Sequence, residues 1–219
     1  MRIAVVRANT SEEIDLVPSK IIGIGVNYRA HAVEMGKALP QVPLMFLKPR
    51  SALIGDGGVI ERPMDYDQVH YEGELGVVIG QRASRIPRER ALEIVMGFTC
   101  VNDVTVRDLQ KTDGQWSRAK GFDTFCPIGP RIVAGLDPAR LRIQTRVNGE
   151  LRQDSTTEDL IHDVPALIAF TSAHMTLEPG DIISTGTPAG VGNLAPGDTV
   201  EIEIEGIGIL RNTVVARPV

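Results

Sequence analysis

The order of apolar and polar positions along the chain predicts a protein built mainly of strands. Short apolar, β-branched runs bounded by turn residues indicate buried strands, and they occur at Lys20–Val26, Leu44–Leu47, Phe98–Asp103 and Ile182–Ser184. Asn148-Gly149 between Leu141–Val147 and Glu150–Gln153 is a strong hairpin signal. Thr199–Ile204 and Gly208–Val215 predict a second hairpin near the end of the chain.

Helical patterns are few and short. We predict helices at Arg29–Met35, Pro87–Met96, Val104–Gln110 and Val164–Met175. Because they do not alternate with the strands, a doubly wound parallel sheet is disfavoured, and the fold class is α+β, strand-rich, with mixed sheets. Residues 1–19 are expected to form a short strand, Ile3–Val6, and a polar link, followed by a single domain over 20–219.

The stretch Val69–Gly80 is predicted to be a strand that carries two acidic residues. Glu72 and Glu74 are two positions apart, so they point to the same face, beside an apolar run that favours burial. An isolated Glu-x-Glu is ordinary on a solvated edge strand. If the pair is buried, however, the repulsion between two carboxylates needs compensation, and a divalent cation can supply it.

Asp103 ends another apolar strand and is a candidate third ligand. Its alternative role is the N-cap of the helix predicted at Val104–Gln110. With Glu72 and Glu74 it completes a set of three carboxylates, and such hard oxygen ligands suit Mg²⁺, Mn²⁺ or Ca²⁺ rather than zinc or copper.

Three more residues are candidates for acid–base and electrostatic catalysis. His31 and Glu34 are three apart on one helix face, so the carboxylate could orient the imidazole as a general base; the alternative is a solvated pair. Lys120, beside Gly121, could stabilise a developing enolate near a metal; otherwise it is a surface lysine.

The segment Thr185–Gly192 is a Gly-rich loop at the end of a buried strand. Its backbone N–H groups and hydroxyls could hold an anion, although no Gly-Lys-Ser/Thr follows, as a Walker loop requires. Lys48, Arg107 and Gln110 are further polar candidates for this region.

Composition narrows the class of protein. The chain has 219 residues and a net charge of −5 without a basic block, which argues against nucleic-acid binding. Cys100 and Cys126 fit no metal spacing and are expected to be buried free thiols, consistent with the cytoplasm. No signal-peptide pattern and no apolar run of about 18 residues occurs, so no membrane association is expected.

Seven stretches together resemble the fumarylacetoacetate hydrolase family, in its short single-domain branch. They follow one another in the family's order from about residue 20 to the C-terminus: Gly25–Glu34, Phe46–Ala52, Tyr71–Gly80, Val101–Gln110, Ala119–Pro127, Val147–Gln153 and Asp181–Gly192.

The resemblance implies a fold, an assembly and roles for residues. The fold would be a mixed β-sandwich roll with few short helices, in a homodimer. Mg²⁺ or Mn²⁺ would be held by Glu72, Glu74 and Asp103. His31 and Glu34 would lie on a lid over 29–42, and Lys120 would stabilise an enolate. The substrate contacts implied are Arg107, Gln110, Thr187 and Asp123.

The resemblance also implies a class of substrate. Relatives act on α-keto acids with a second carbonyl or carboxylate, and the His31–Glu34 pair favours cleavage of a C–C bond in an acylpyruvate (acetylpyruvate, fumarylpyruvate) or in oxaloacetate. The alternative is isomerisation of 5-carboxymethyl-2-hydroxymuconate or 2-hydroxyhepta-2,4-diene-1,7-dioate. A non-catalytic metal-binding module is a further alternative, although such a module should lack the His31–Glu34 pair.

Overall fold

A computed structural model describes residues 1–8 and 10–217 and shows a strand-rich α+β fold. The strands in chain order are β1 (Arg2–Arg7), β2 (Thr10–Asp15), β3 (Ile21–Gly25), β4 (Leu44–Lys48), β5 (Leu53–Ile54), β6 (Val59–Arg62), β7 (Val69–Tyr71), β8 (Gly73–Ile79), β9 (Val95–Asn102), β10 (Thr105–Val106), β11 (Cys126–Val133), β12 (Arg142–Val147), β13 (Glu150–Thr156), β14 (Ile182–Ser184), β15 (Gly192–Asn193), β16 (Thr199–Ile204) and β17 (Gly208–Ala216).

The helices are short, as predicted. The α-helices are α1 (Arg29–Glu34), α2 (Arg107–Thr112), α3 (Ser117–Lys120) and α4 (Val164–His174), and 3₁₀ turns occupy Arg50–Ala52, Arg88–Ile94 and Thr157–Asp159. In α4 the buried positions Val164, Leu167, Ile168, Thr171 and Ser172 follow the 3.6-residue period, so one face packs on the core. Among these helices none is both long and apolar enough to cross a membrane.

The strands form three sheets. The main sheet has nine strands, in the order β2-β1-β11-β9-β8-β14-β3-β4 with β5 paired to β11. A second sheet has the order β13-β12-β16-β17-β6, and a small one has β10-β7-β15. The hairpin predicted at Asn148-Gly149 is confirmed by the antiparallel pairing of β12 and β13, and the closing hairpin by β16 and β17.

Strand β8 is the centre of the core because both of its faces are buried. Leu75, Val77 and Ile79 point into the apolar cluster that joins the main sheet to Ile143 and Ile202 of the second sheet. Val78 points to the opposite face, into a separate cluster that includes residues of β1, β11 and β14. The alternation of side chains along a strand therefore places this strand between two apolar layers.

The structure corrects several predicted elements. The helix predicted at Pro87–Met96 is a 3₁₀ turn followed by β9, and the helix predicted at Val104–Gln110 begins only at Arg107, after β10. The polar link predicted after Val6 contains a strand: β2 pairs with β1 along its whole length, and β1 joins the main sheet beside β11. The strand predicted over Val69–Gly80 is two strands, because the ladder breaks at Glu72, and β7 and β8 belong to different sheets. The division into residues 1–19 and 20–219 stays a prediction.

The break at Glu72 has a local cause. The backbone N–H of Glu72 donates to the side-chain oxygen of Asn102 (3.0 Å), and its carbonyl accepts from the N–H of Asp103 (2.9 Å). The next residue must be glycine, because a Cβ on Gly73 would lie 2.2 Å from the hydroxyl of Thr145. The chain thus turns from one sheet into the other at an acidic residue.

Candidate active site

The predicted acidic residues come together where inner strands of the main sheet begin or end. Gly73 at the start of β8 pairs with Asn102 at the end of β9, and Ser184 at the end of β14 pairs with Gly76. Asp103 follows β9 directly, so antiparallel pairing places it next to the start of β8. The ligand atoms of Glu72, Glu74 and Asp103 lie within 4.8 Å of one another, and all three residues are buried.

Burial excludes the alternative roles that the sequence left open for these acids. Glu72 and Glu74 do not lie on a solvated edge, since they are 4% and 1% exposed. Asp103 is not a helix cap: the N-cap of α2 is Val106, which makes no side-chain capping bond. Three oxygen donors in this arrangement fit the ligand preference of Mg²⁺ or Mn²⁺.

Three buried cations neutralise two of the three carboxylates. Lys48 donates to Asp103 (2.5 Å), and Lys120 donates to both Asp103 (2.5 Å) and Glu72 (2.8 Å). Arg107 forms a further ion pair with Glu72. Lys120 is therefore not a surface lysine: its side chain is 2% exposed, and it lies 4.9 Å from the centre of the Phe46 ring.

These contacts lower the pKa of Glu72 and raise the pKa of Lys120, and both shifts favour the charged form. Burial alone would raise the pKa of Glu72, but Arg107 and Lys120 outweigh it, so the pKa of this carboxyl is well below its usual range. Burial would likewise lower the pKa of Lys120, but Asp103 and Glu72 raise it above its usual value, and the ammonium stays charged.

Glu74 differs from its two neighbours because no lysine or arginine within the described residues forms an ion pair with it. The hydroxyl of Ser184 and the N–H of Gly186 both donate to its Oε2 (2.5 and 2.8 Å). Burial, followed by the charges of Asp103 and Glu72, raises the pKa of Glu74 to about 8. The three-carboxylate centre therefore lacks positive charge at Glu74, which is what a bound dication would supply.

The His31–Glu34 pair is buried at the imidazole and fixed from two sides. His31 is 4% exposed. Its Nδ1 lies 2.9 Å from the Oε2 of Glu34, and Oε1 of Glu34 accepts from the N–H of Gly190 (3.0 Å). A carboxylate can only accept, so Nδ1 carries the proton in this bond and Nε2 is left as the basic nitrogen.

The Gly-rich loop binds side chains of the protein itself. Its Gly186 N–H holds Glu74 and its Gly190 N–H holds Glu34, so one loop fixes both a predicted metal ligand and the predicted base pair. Gly190 has a φ of +98°, and a Cβ there would lie 2.1 Å from the carbonyl oxygen of Arg152. The hydroxyl of Tyr71 donates to the Gly190 carbonyl (2.8 Å) and steadies the same turn.

A cavity of about 20 Å³ connects these groups, roughly the space of one water molecule. His31, Met35 and Lys37, from the segment 29–42 that we call the lid, form one side of it. The residues that line the cavity include His31, Met35, Lys37, Glu72, Glu74, Arg107, Gln110, Trp116, Lys120 and Thr187.

The substrate-binding residues predicted from the sequence divide into two groups. Arg107, Gln110 and Thr187 line the cavity, and Arg107 donates to Gln110 (2.7 Å). Asp123 is not among the residues that line the cavity, and its contact with a substrate stays a prediction. Asp123 is exposed in the turn after α3, next to Thr124, whose φ is +68°.

Sequence reasoning missed three residues that support the site. Trp116 lies outside the predicted strands and helices, yet it lines the cavity and its ring packs edge-on against Phe46. Ser184 holds Glu74, and His70 accepts from the Nε of Arg107 (3.2 Å). The available signals were the single tryptophan of the chain and the serine that ends a buried strand.

Comparison with known proteins matches this architecture. The family model described as fumarylacetoacetate (FAA) hydrolase C-terminal matches residues 20–215. The chain is 46% identical over 211 residues to the oxaloacetate tautomerase YisK of Bacillus subtilis, covering 90% of this chain and 70% of that protein.

Two solved structures share the fold over nearly the whole chain. A 2-hydroxyhepta-2,4-diene-1,7-dioate isomerase from Mycobacterium marinum superposes with a TM-score of 0.87 at 48% identity, covering 93% of this chain and 77% of that one. A maleylpyruvate hydrolase from Sphingobium, in complex with manganese(II) and pyruvate, gives a TM-score of 0.81 at 41% identity, with 92% and 72% covered. The chain therefore belongs to the fumarylacetoacetate hydrolase family.

Proposed function

We propose that this protein is a divalent-metal-dependent enzyme acting on 2-oxo acids that carry a second carbonyl or carboxylate group, and that its central step is proton transfer at the carbon between the two groups. The observation that carries the proposal is the position of His31. It lines the same cavity as Glu72 and Glu74, with Nδ1 bound to Glu34. A base and a dication site in one cavity are the two parts that enolisation of a 2-oxo acid needs.

Glu72, Glu74 and Asp103 are the residues that would hold Mg²⁺ or Mn²⁺. When bound, the ion supplies Lewis acidity to the 2-oxo carbonyl and offsets negative charge that develops on its oxygen. The donor set fits this role because it consists of three buried oxygen ligands on one sheet edge.

His31 takes or returns the proton through Nε2, because Nδ1 is bound to Glu34. Glu34 holds the ring orientation and stabilises the imidazolium that forms when the proton arrives. Lys120, charged and buried beside Glu72 and Asp103, adds positive potential where enolate charge would develop. Arg107, Gln110 and Thr187 orient the substrate from the cavity wall.

Tautomerisation is the reaction that needs only these residues and the metal ion, with no second reactant. In the keto form of an oxaloacetate-type acid one proton is on C3, and in the enol form that proton is on the C2 oxygen, with the double bond moved from C2–O to C2–C3. His31 is the group that we assign to the proton transfer at C3. Support comes from the identity to a protein named as an oxaloacetate tautomerase and from the likeness to an isomerase, whose reaction is also a proton shift.

Cleavage of a C–C bond is a second candidate, favoured by the likeness to a maleylpyruvate hydrolase solved with manganese and pyruvate. The same His31–Glu34 pair could activate a water molecule for attack on the distal carbonyl. Oxaloacetate could also lose CO₂ without water. The candidates differ in their products: tautomerisation conserves the substrate, whereas cleavage and decarboxylation release pyruvate.

The test uses the whole protein with Mg²⁺ or Mn²⁺ and four substrates: oxaloacetate, acetylpyruvate, fumarylpyruvate and a hydroxymuconate analogue. Enol absorbance reports tautomerisation, exchange of the C3 protons in deuterated buffer reports proton transfer, and a coupled assay reports pyruvate. We expect metal-dependent acceleration of enol–keto conversion of oxaloacetate that is lost in His31→Asn. Absence of metal-dependent turnover and proton exchange with all four compounds would overturn the proposal, and rapid pyruvate release would establish the second candidate.

A further inference from the structure

Lys37 is a cationic side chain of the cavity wall that neither the metal site nor the base pair uses. It follows α1 in the lid, where its backbone N–H donates to the carbonyl of Ala32 (2.9 Å). Its side chain lines the cavity together with Arg107 and Lys120. Its ammonium lies 5.7 Å from the centre of the Trp116 ring.

The other cations near the cavity already have partners. Arg107 donates to His70, Gln110 and Glu72 with its three nitrogens. Lys120 is paired with Glu72 and Asp103, and Lys48 with Asp103. Within residues 1–8 and 10–217, Lys37 has neither an ion-pair partner nor a hydrogen bond from its ammonium. It is therefore the cation available to an anionic group of a substrate.

Trp116 offers this ammonium an aromatic face beside the cavity. The indole ring packs against Phe46 with ring centres 5.4 Å apart, and a Cβ on Gly25 would lie 2.4 Å from it, so the ring sits tightly on β3. The face of an aromatic ring attracts a cation. Lys37 itself is exposed, and the fixed ring of Trp116 gives its ammonium an aromatic face at the cavity wall.

We propose that Lys37, positioned by Trp116, binds the second carboxylate of the substrate, so that the site prefers dicarboxylic 2-oxo acids to 2-oxo acids with a neutral distal group. This inference rests on the proposed function for its assignment of the first carboxylate to the metal end of the cavity. A charge-assisted bond to a distal carboxylate is available only to a dianionic substrate. Because Lys37 belongs to the lid, such a substrate would also draw the lid over itself.

Oxaloacetate and acetylpyruvate form a matched pair for the kinetic test. They share the 2-oxo acid and the C3 methylene and differ in the distal group, which is a carboxylate in one and a methyl ketone in the other. We expect Lys37→Met to lower kcat/KM for oxaloacetate about tenfold, mainly through KM, with little change for acetylpyruvate. Lys37→Arg should restore most of the loss, and Lys111→Met, on an exposed part of α2, is the control.

Two kinetic outcomes would overturn the inference. Equal losses of kcat/KM for both substrates would mean that Lys37 acts in lid closure without distinguishing a distal carboxylate from a methyl ketone. No loss for oxaloacetate would mean that the ammonium does not contact the substrate at all.

A binding experiment separates this inference from the proposed function. Trp116 is the single tryptophan of the chain, so its fluorescence reports on the site. In the presence of Mg²⁺ we expect malate to bind about tenfold tighter than lactate, which lacks the distal carboxylate, and Lys37→Met to erase that difference. If the erased preference is seen in a protein without turnover, the proposed function fails and the inference stands. If the preference for malate persists in Lys37→Met, the inference fails whatever the protein catalyses.

Discussion

The carboxylates of the site lie at the ends of strands of the main sheet, whereas His31, Glu34 and Lys37 lie on the short helix α1 and the loop after it. Every residue of β8 is buried. Of the lid, His31 and Ala32 are buried, while Val33 is 77% and Leu39 50% exposed. The first region is held by strand ladders and ion pairs, and the second by a few side-chain hydrogen bonds.

This difference separates two demands on the site. Like charges brought together within a few ångströms repel, so the carboxylates need a frame that cannot relax, and a central strand buried on both faces provides it. The base lies on a segment past which substrate must enter and leave, so this segment needs to be able to move. The cavity has room for about one water molecule, so we expect the lid to move when a substrate enters.

Breaking the carboxylate centre should have the largest effect. Glu74→Gln removes the one carboxylate of the three that has no cationic partner in the described structure. We expect a loss of metal-dependent turnover on the order of a thousandfold, with the fold kept, because a predicted ligand is lost while the apolar packing of β8 is unchanged. Steady-state kinetics and metal titration by calorimetry measure it, with exposed Glu150→Gln as control. Normal turnover at limiting Mg²⁺ would contradict the assignment.

Breaking the base on the lid should have the next largest effect, and a different signature. His31→Asn should lower turnover by about 10²–10³-fold while leaving the affinity for Mg²⁺ unchanged, because the ring acts on a proton and is not among the three carboxylate ligands. Proton exchange at C3 by NMR and metal titration distinguish the two effects. His174→Asn, on an exposed helix end, is the matched control. A parallel loss of metal affinity would show that the two regions are not separable in this way.

Weakening the support of the lid should have a smaller effect. Tyr71→Phe removes the hydroxyl that holds the Gly190 carbonyl, and Gly190 in turn holds Glu34. We expect kcat to fall by about three- to tenfold, with the pH profile of kcat shifted, since the orientation of His31 depends on Glu34. Tyr66→Phe is the control. A change in unfolding free energy with an unaltered pH profile would assign Tyr71 a purely structural role.

The smallest effect concerns stability and its dependence on pH in metal-free buffer. Burial, with the charges of Asp103 and Glu72, raises the pKa of Glu74 from 4.5 to about 8. The folded chain therefore binds this proton more tightly than the unfolded chain, so the contribution of Glu74 to the unfolding free energy is present below 4.5 and is lost as pH rises through 8.

Glu74→Gln, which stays neutral, should therefore gain stability over the natural chain as pH rises from about 5 to about 9. Urea unfolding of both proteins at the two pH values measures the difference. Added Mg²⁺ should reverse it by binding the natural chain alone. A stability difference that is independent of pH would show that burial and the neighbouring carboxylates do not raise the pKa of Glu74.

Much of the site could be read from local pattern. The spacing of Glu72 and Glu74, the apolar strand before Asp103 and the helical spacing of His31 and Glu34 depend only on the periods of strands and helices. The predicted hairpin at Asn148-Gly149 rests on turn chemistry alone and is confirmed. These features could be predicted because each is decided by residues within a few positions of one another.

The remaining features depended on residues far apart in the chain. The sequence left Lys120 as either a surface lysine or a catalytic one, and only its contacts with Glu72 and Asp103, 48 and 17 positions away, show that it is buried. Trp116 likewise lines the cavity only because the fold brings it there, next to Phe46, which is 70 positions away. Side-chain burial is set by which strands pair, whereas the sequence by itself determined the elements, their periods and the acidic residues that the sheet brings together.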